Sequence, residues 1–365
     1  MIISQLYRHL LHHLLTLYII TQINEKRKGD FVKCANLHAM NDLRYEDIPM
    51  PECQEDEVLV KVANCGICGS DIPRVYTKGT YSFPMVIGHE FSGKVIADPT
   101  GELTGKKVAV FPLLPCFECE SCKVGNYATC ENYDYYGSRR NGAMSEYLAV
   151  KRWNILPVAD NVSYREAAMC EPASVARHAV SKLNIQPGEN LLVSGAGPIG
   201  ILVGQWAKVF GAENVYYFDV DDRKIDFCKS LGFKQYEKDV HIHCVLEGTG
   251  FADALSKCLE AIAPGGRMVL MGNPSKEVCL SQNTYWHILR KELTVYGTWN
   301  SSYNPKQNDW VESLKAMAEG KIDVKPLITH VFPLAQCNEA FEMMKNRTEF
   351  FNKVMLEMGG NADDK

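Results

Sequence analysis

The chain has 365 residues, 46% of them hydrophobic and 23% charged, with a formal net charge of −5. That length predicts about two domains of ordinary globular composition. The weakly acidic balance excludes the electrostatic footprint of a nucleic-acid binder, and no fixed-period repeat or low-complexity tract is present.

In chain order, the first thirty residues differ from the rest. Residues 10–20 are apolar, but His12 and His13 interrupt them, and a spanning helix needs about 20 apolar residues. Thr21-Gln22-Ile23-Asn24 lacks the small residues of a cleavage site. No membrane partner is therefore expected, although an interfacial helix stays open. The favoured expectation is a start at Val32 read from a GTG codon, because Lys28-Gly29-Asp30 can be encoded with a ribosome-binding sequence. From Val32 the pattern is β-rich, with strands predicted at 57–62, 93–96, 107–111 and 147–150, then a helix over 164–183. From Asn190 strands and helices alternate: strands at 190–194, 215–219, 243–247, 267–271 and 293–297, helices at 201–210 and 222–231. That alternation predicts a parallel sheet with helices on both faces. Helices at 310–319 and 334–346 and a strand at 353–356 follow. The expected domains are an extension over 1–31, one domain from 32–175 plus 299–358, a second over 176–298, and a tail over 359–365.

Fourteen cysteines without a convincing secretory signal argue for a reducing, cytoplasmic setting where clustered thiols serve metals. Cys116, Cys119, Cys122 and Cys130 fall at C-x2-C-x2-C-x7-C. Four thiolates around one Zn²⁺ make a closed tetrahedral structural site. A ferredoxin run starts the same way but continues x3-C-P, and no proline follows Cys130. A second constellation comprises Cys68, His89 in Gly88-His89-Glu90, and Glu171 before Pro172. A thiolate, an imidazole and a carboxylate are three ligands that leave a fourth position open, as catalytic zinc requires. Taken singly, each residue reads more readily as structural. Cys65 and Cys68 also form a CxxC pair, but a redox role would need a thioredoxin-like context that the chain lacks.

Gly195-x-Gly197-x-x-Gly200 follows a strand and opens a helix, and Asp219 ends the next strand. Gly195 allows the tight turn, Gly197 the approach of a pyrophosphate, and Gly200 close packing of helix on strand. Gly195, Gly197, Ile199 and Gly200 are thus candidate cofactor contacts. Asp219 would bind the ribose hydroxyls and favour NAD over NADP. Arg223 is the counter-signal.

In these motifs and their order, the chain from Val32 to Met358 resembles the zinc-dependent medium-chain dehydrogenases, and it resembles the polyol branch of that family in residues 68–74, 110–117, 136–140 and 290–295. The resemblance implies an α/β protein with a GroES-like β-rich catalytic domain and a Rossmann doubly wound parallel-sheet domain. It implies two zinc ions and NAD, with Cys68, His89 and Glu171 on the catalytic zinc and Cys116, Cys119, Cys122 and Cys130 on the structural one. It casts Glu90 as a carboxylate near the metal and Ser70 as the first proton carrier, and places Asn300 and Trp299 at the substrate pocket. It implies a homodimer or homotetramer built through the nucleotide domain. One departure is Pro73, where many relatives carry a histidine that ends the proton relay. The expected substrate is a polyol phosphate, with Arg74, Lys78, Arg139 and Arg140 as candidate phosphate partners and Arg74 favoured. Sorbitol, xylitol, butanediol or threonine as substrate stay open, as does a zinc- and NAD-binding sensor without turnover.

Overall fold

Burial separates the strands into two kinds. Glu57–Ile67 is largely apolar and buried at every position but Lys61, which suits a central strand. The computed structural model, which describes Thr21 and residues 29–359, places it so. It pairs with Glu90–Ala97, Tyr147–Lys151 and Lys353–Glu357, all antiparallel. The sheet runs in the order Ile155–Pro157, Lys107–Val110, Glu90–Ala97, Glu57–Ile67, Lys353–Glu357, Ile328–Pro333. A second sheet joins Asp42–Pro49, Phe31–Ala39 and Met85–Val86. Val58, Val60, Val62, Phe91, Val95 and Val354 build the core they share. The expectations for residues 10–20 and for the tail beyond Gly359 lie outside the described residues.

The chain divides into two units. The first comprises Met1–Cys116, Asn132–Glu171 and Ile328–Lys365, the second Phe117–Glu131 and Pro172–Leu327. The second holds a six-stranded parallel sheet in the order Lys234–Gln235, Asn214–Phe218, Asn190–Ser194, Ile242–Glu247, Ile262–Leu270, Thr294–Gly297. In chain order that is 3-2-1-4-5-6, the dinucleotide-binding arrangement, whose order reverses beside Asn190–Ser194.

Three features differ from the pattern reading. The expected helix over 164–183 is two helices, Tyr164–Ala168 and Cys170–Ser181. Pro172 has no N–H to give the Ala168 carbonyl and its ring would crowd it, so the helix restarts with Pro172 in its first turn. Residues 117–131 and 172–175, expected with the first domain, belong to the second unit, and so do residues 299–327. The buried Asp309 carboxylate explains the placing of 299–327: it accepts the Ser302 N–H at 2.7 Å, lies 3.0 Å from His178 Nδ1 and pairs with Arg177. Ile328–Pro333 is a strand that carries no period-2 signal, because it is half-buried along most of its length. Among the described residues, no helix is long and apolar enough to cross a membrane.

Candidate active site

Three turns of the first unit converge. Cys68 follows the central strand Glu57–Ile67, His89 precedes Glu90–Ala97, and Glu171 lies in the first turn of Cys170–Ser181. The ligand atoms of Cys68, His89 and Glu90 lie within 4.8 Å of one another. Glu171 is outside that tight group but buried beside it: the Tyr135 hydroxyl donates to its Oε1 at 3.4 Å, and the Tyr135 ring packs edge-on against His89. Gly66 makes room for Glu90, since a Cβ there would stand 2.2 Å from Glu90 Oε2.

The cluster concentrates negative charge away from water. Burial pushes the Cys68 thiol up, and the charges of Glu90 and Asp71 add to the shift. Burial also raises the Glu171 carboxyl, with Glu90 and Cys68 adding and His89 and Lys353 opposing. Two cations, buried Lys353 and half-buried Arg74, partly compensate. Lys353 Nζ donates to Glu90 Oε2 at 2.5 Å and to the Ile67 carbonyl at 3.3 Å. Arg74 Nη1 donates to Asp71 Oδ1 at 2.6 Å and to Ser70 Oγ at 2.9 Å. Asp71 Oδ2 accepts the Cys68 N–H at 3.0 Å, while its Oδ1 stands 3.6 Å from His89 Nδ1, a buried nitrogen without a hydrogen bond. A thiol, an imidazole and two carboxylates in one buried site are a donor set that fits Zn²⁺, whose charge would offset theirs.

The structure commits Arg74, the favoured phosphate partner, to Asp71. Arg140 is likewise paired, 2.7 Å from Asp134. Lys78 is exposed at the end of Arg74–Lys78. Asn300 is a half-buried residue of the second unit with φ 51°, next to exposed Trp299.

Cys116, Cys119, Cys122 and Cys130 come together, their sulfurs within 4.8 Å of one another. Cys119 and Cys130 are 3.9 Å apart, well beyond a disulfide's roughly 2.05 Å. Four mutually close thiols fit a four-coordinate zinc.

In the second unit, Gly195 has φ +98°, and a Cβ on Gly200 would stand 2.0 Å from the Gly195 carbonyl oxygen. At Gly197 a Cβ would meet nothing within 4 Å. The close packing at Gly200 and the open space at Gly197, the N-cap of Pro198–Val209, fit a pyrophosphate on the helix N-terminus. Ile199 is half-buried in that helix's first turn. Asp219 accepts the N–H groups of Ala196 and Asp221 at 2.8 and 3.0 Å. Arg223 is forked by Asp221 at 2.9 and 2.8 Å, which neutralises the cation expected to invite a 2′-phosphate.

Asp71, Tyr135 and Lys353 were not assigned roles from sequence. Asp71 stands in the Cys68 motif itself. A lone lysine opening the apolar run 353–356 is the one trace of Lys353, whose partner is 263 residues away.

A family model for the alcohol dehydrogenase GroES-like domain matches residues 54–160, and one for a zinc-binding dehydrogenase matches residues 198–319. The chain belongs to the zinc-dependent medium-chain dehydrogenases, and zinc and NAD are the cofactors that this membership brings. It is 34% identical over 308 residues to galactitol 1-phosphate 5-dehydrogenase of Escherichia coli K12, covering 79% of this chain and 89% of that one. Sorbitol dehydrogenase of Bacillus subtilis is 30% identical, with 90% of this chain and 96% of that one covered. The crystal structure of the E. coli galactitol-1-phosphate dehydrogenase superposes with a TM-score of 0.83 at 32% identity, covering 89% of this chain and 99% of that one. An E. coli alcohol dehydrogenase solved with NADH gives 0.83 at 26% identity, covering 90% and 100%.

Proposed function

We propose that the protein oxidises a secondary hydroxyl of a polyol phosphate, most favourably galactitol 1-phosphate to tagatose 6-phosphate, with reduction of NAD. The observation that carries the reading is the buried thiol–imidazole–carboxylate group of Cys68, His89 and Glu90 beside Glu171. The choice of substrate rests on the 34% likeness to the galactitol 1-phosphate enzyme.

Cys68, His89 and Glu171 would hold the catalytic zinc, with Glu90 close enough to exchange with a ligand, and Cys116, Cys119, Cys122 and Cys130 the structural one. Catalytic zinc, when bound, acts as a Lewis acid that lowers the pKa of a hydroxyl, and NAD accepts hydride from the carbon that bears it. The reaction balances as alcohol plus NAD⁺ giving ketone, NADH and one proton. Ser70 takes that proton. Its hydroxyl contacts the Cys68 thiol, accepts from Arg74 and is exposed, so the proton passes directly to water, and the absence of a titratable side chain at Pro73 is tolerated. Arg74 stays protonated and orients Ser70 and Asp71 rather than carrying the proton. Lys353 holds Glu90 in position through its 2.5 Å contact. Asp219 binds the adenosine ribose, and the Asp221–Arg223 pair supports NAD over NADP. The exposed edge strand Thr294–Gly297 is the surface through which a dimer would form.

NADH absorbance read over galactitol 1-phosphate, galactitol, sorbitol, xylitol, butanediol and threonine tests the reading. The expected result is the highest kcat/KM on the phosphorylated polyol. A higher value on an unphosphorylated substrate would overturn the substrate choice. Bound zinc and NAD with no oxidation of any substrate would leave only the sensor.

A further inference from the structure

We propose that Arg139, clamped between Tyr81 and Tyr133, is the residue that grips the phosphate of the substrate and sets the preference for a phosphorylated polyol. The assignment rests on the polyol phosphate reading, and it replaces Arg74 in this role.

Charge bookkeeping among the four candidate cations selects it. Arg74 is neutralised by fully buried Asp71, and Arg140 by Asp134. Lys78 is exposed at the end of a short helical segment, and no ion pair fixes its ammonium among the described residues. Among the described residues Arg139 has no carboxylate in ion-pair range, yet it is held still. Its guanidinium carbon lies 4.4 Å from the Tyr81 ring centroid and 4.3 Å from that of Tyr133. Nη2 donates to the Tyr81 hydroxyl at 3.3 Å. Nε is buried and has no hydrogen-bond partner.

Two tyrosine rings pack against the guanidinium and hold it without pairing its charge, and a guanidinium so held can meet a phosphate with parallel N–H donors. A cation fixed before the ligand arrives loses little side-chain entropy on binding. Stacking on these rings contributes little. It does not compensate an unpaired cation with a buried, unsatisfied N–H, whereas a bound anion does.

The position connects Arg139 to the chemistry. Its backbone N–H donates to the Tyr135 carbonyl at 3.0 Å, closing a turn on the residue that touches both His89 and Glu171. The Tyr133 ring that stacks on the guanidinium packs edge-on against the Tyr135 ring, 6.3 Å between centroids. Arg139, Tyr133, Tyr135 and His89 thus form one contiguous row within the first unit. An anion at one end and a hydroxyl at the other suit a polyol phosphate whose reacting carbon is remote from its phosphate.

The test is the ratio of kcat/KM for galactitol 1-phosphate over galactitol, measured in one preparation so that the folded fraction cancels. Calorimetric titration of both ligands runs in parallel. Arg139→Gln should lower the ratio about tenfold to a hundredfold, carried by KM and mirrored in Kd. Arg139→Lys should fall between. Arg74→Gln should slow both substrates alike and leave the ratio in place, because it disturbs Asp71 and Ser70. If the unsubstituted enzyme prefers the phosphate and Arg139→Gln keeps that preference, the assignment is wrong while the polyol phosphate reading stands. If the unsubstituted enzyme has no preference for the phosphate, both fall.

Discussion

Removing the Lys353 amine should destabilise the first unit more than any surface change, and the size of the loss follows from burial. Lys353 is 3% exposed and Glu90 1%, and their ion pair is 2.5 Å long. Lys353→Met leaves the Glu90 carboxylate buried beside Cys68 and Glu171 with its one cation gone. Breaking a buried pair from one side costs about 3–5 kcal/mol. For a domain of this size that lowers Tm by roughly 6–20 °C. The double variant Lys353→Met/Glu90→Leu removes both charges, and such apolar replacements are often neutral. It should recover most of the stability while turnover stays low, because Glu90 is lost from the metal group. Calorimetry and NADH-coupled assay of the zinc-loaded proteins measure the two effects separately. If Lys353→Met unfolds within about 1 kcal/mol of the unsubstituted enzyme, or if the double variant is no more stable than the single one, the pair does not hold the site as argued.

Three further outcomes are expected. Cys122→Ser should remove one zinc per chain by elemental analysis and lower thermal stability, whereas Cys68→Ser should remove the other and abolish turnover with the fold intact. Burial opposes ionisation of Asp309, but the contacts from His178, the Ser302 N–H and the Gln307 amide outweigh it and hold its pKa below the usual carboxylate range. A depressed folded pKa contributes stability above the unfolded value of about 4 and loses it as pH falls further, so Asp309→Asn should flatten the acid limb of a urea-midpoint profile. Asp219→Ala should weaken NAD and raise the relative use of NADP, while Arg223→Ala should leave the choice between them little changed because Asp221 already occupies the guanidinium.

The parts of the molecule legible in the sequence were those that local rules control. The sheet of the second unit announces itself through alternating strands and helices, and the four cysteines through spacing within fifteen residues. Gly195 could be read because its backbone takes φ +98°, and Gly200 because it has no room for a side chain. What escaped depends on chain segments that meet only in space. The Glu90–Lys353 pair and the transfer of residues 299–327 to the second unit by buried Asp309 leave no periodicity, and the Arg74–Asp71 pair, though only three residues apart, matters because the fold buries Asp71. Arg139 and Arg74 look alike in sequence, and only their neighbours, two tyrosine rings against one buried carboxylate, separate them. Pro172 could have announced the break at Met169, since proline inside a predicted helix is itself a boundary signal.

The chemistry proposed for the first unit requires one zinc ion among Cys68, His89 and the buried glutamates. Anomalous diffraction from crystals of the purified protein at the zinc edge tests it most directly. Two peaks per chain are expected, one bonded to Cys68 and His89 with Glu171 or Glu90 as the carboxylate ligand, and one centred on the four sulfurs. Strong density at the four cysteines with none at Cys68 and His89 would contradict it.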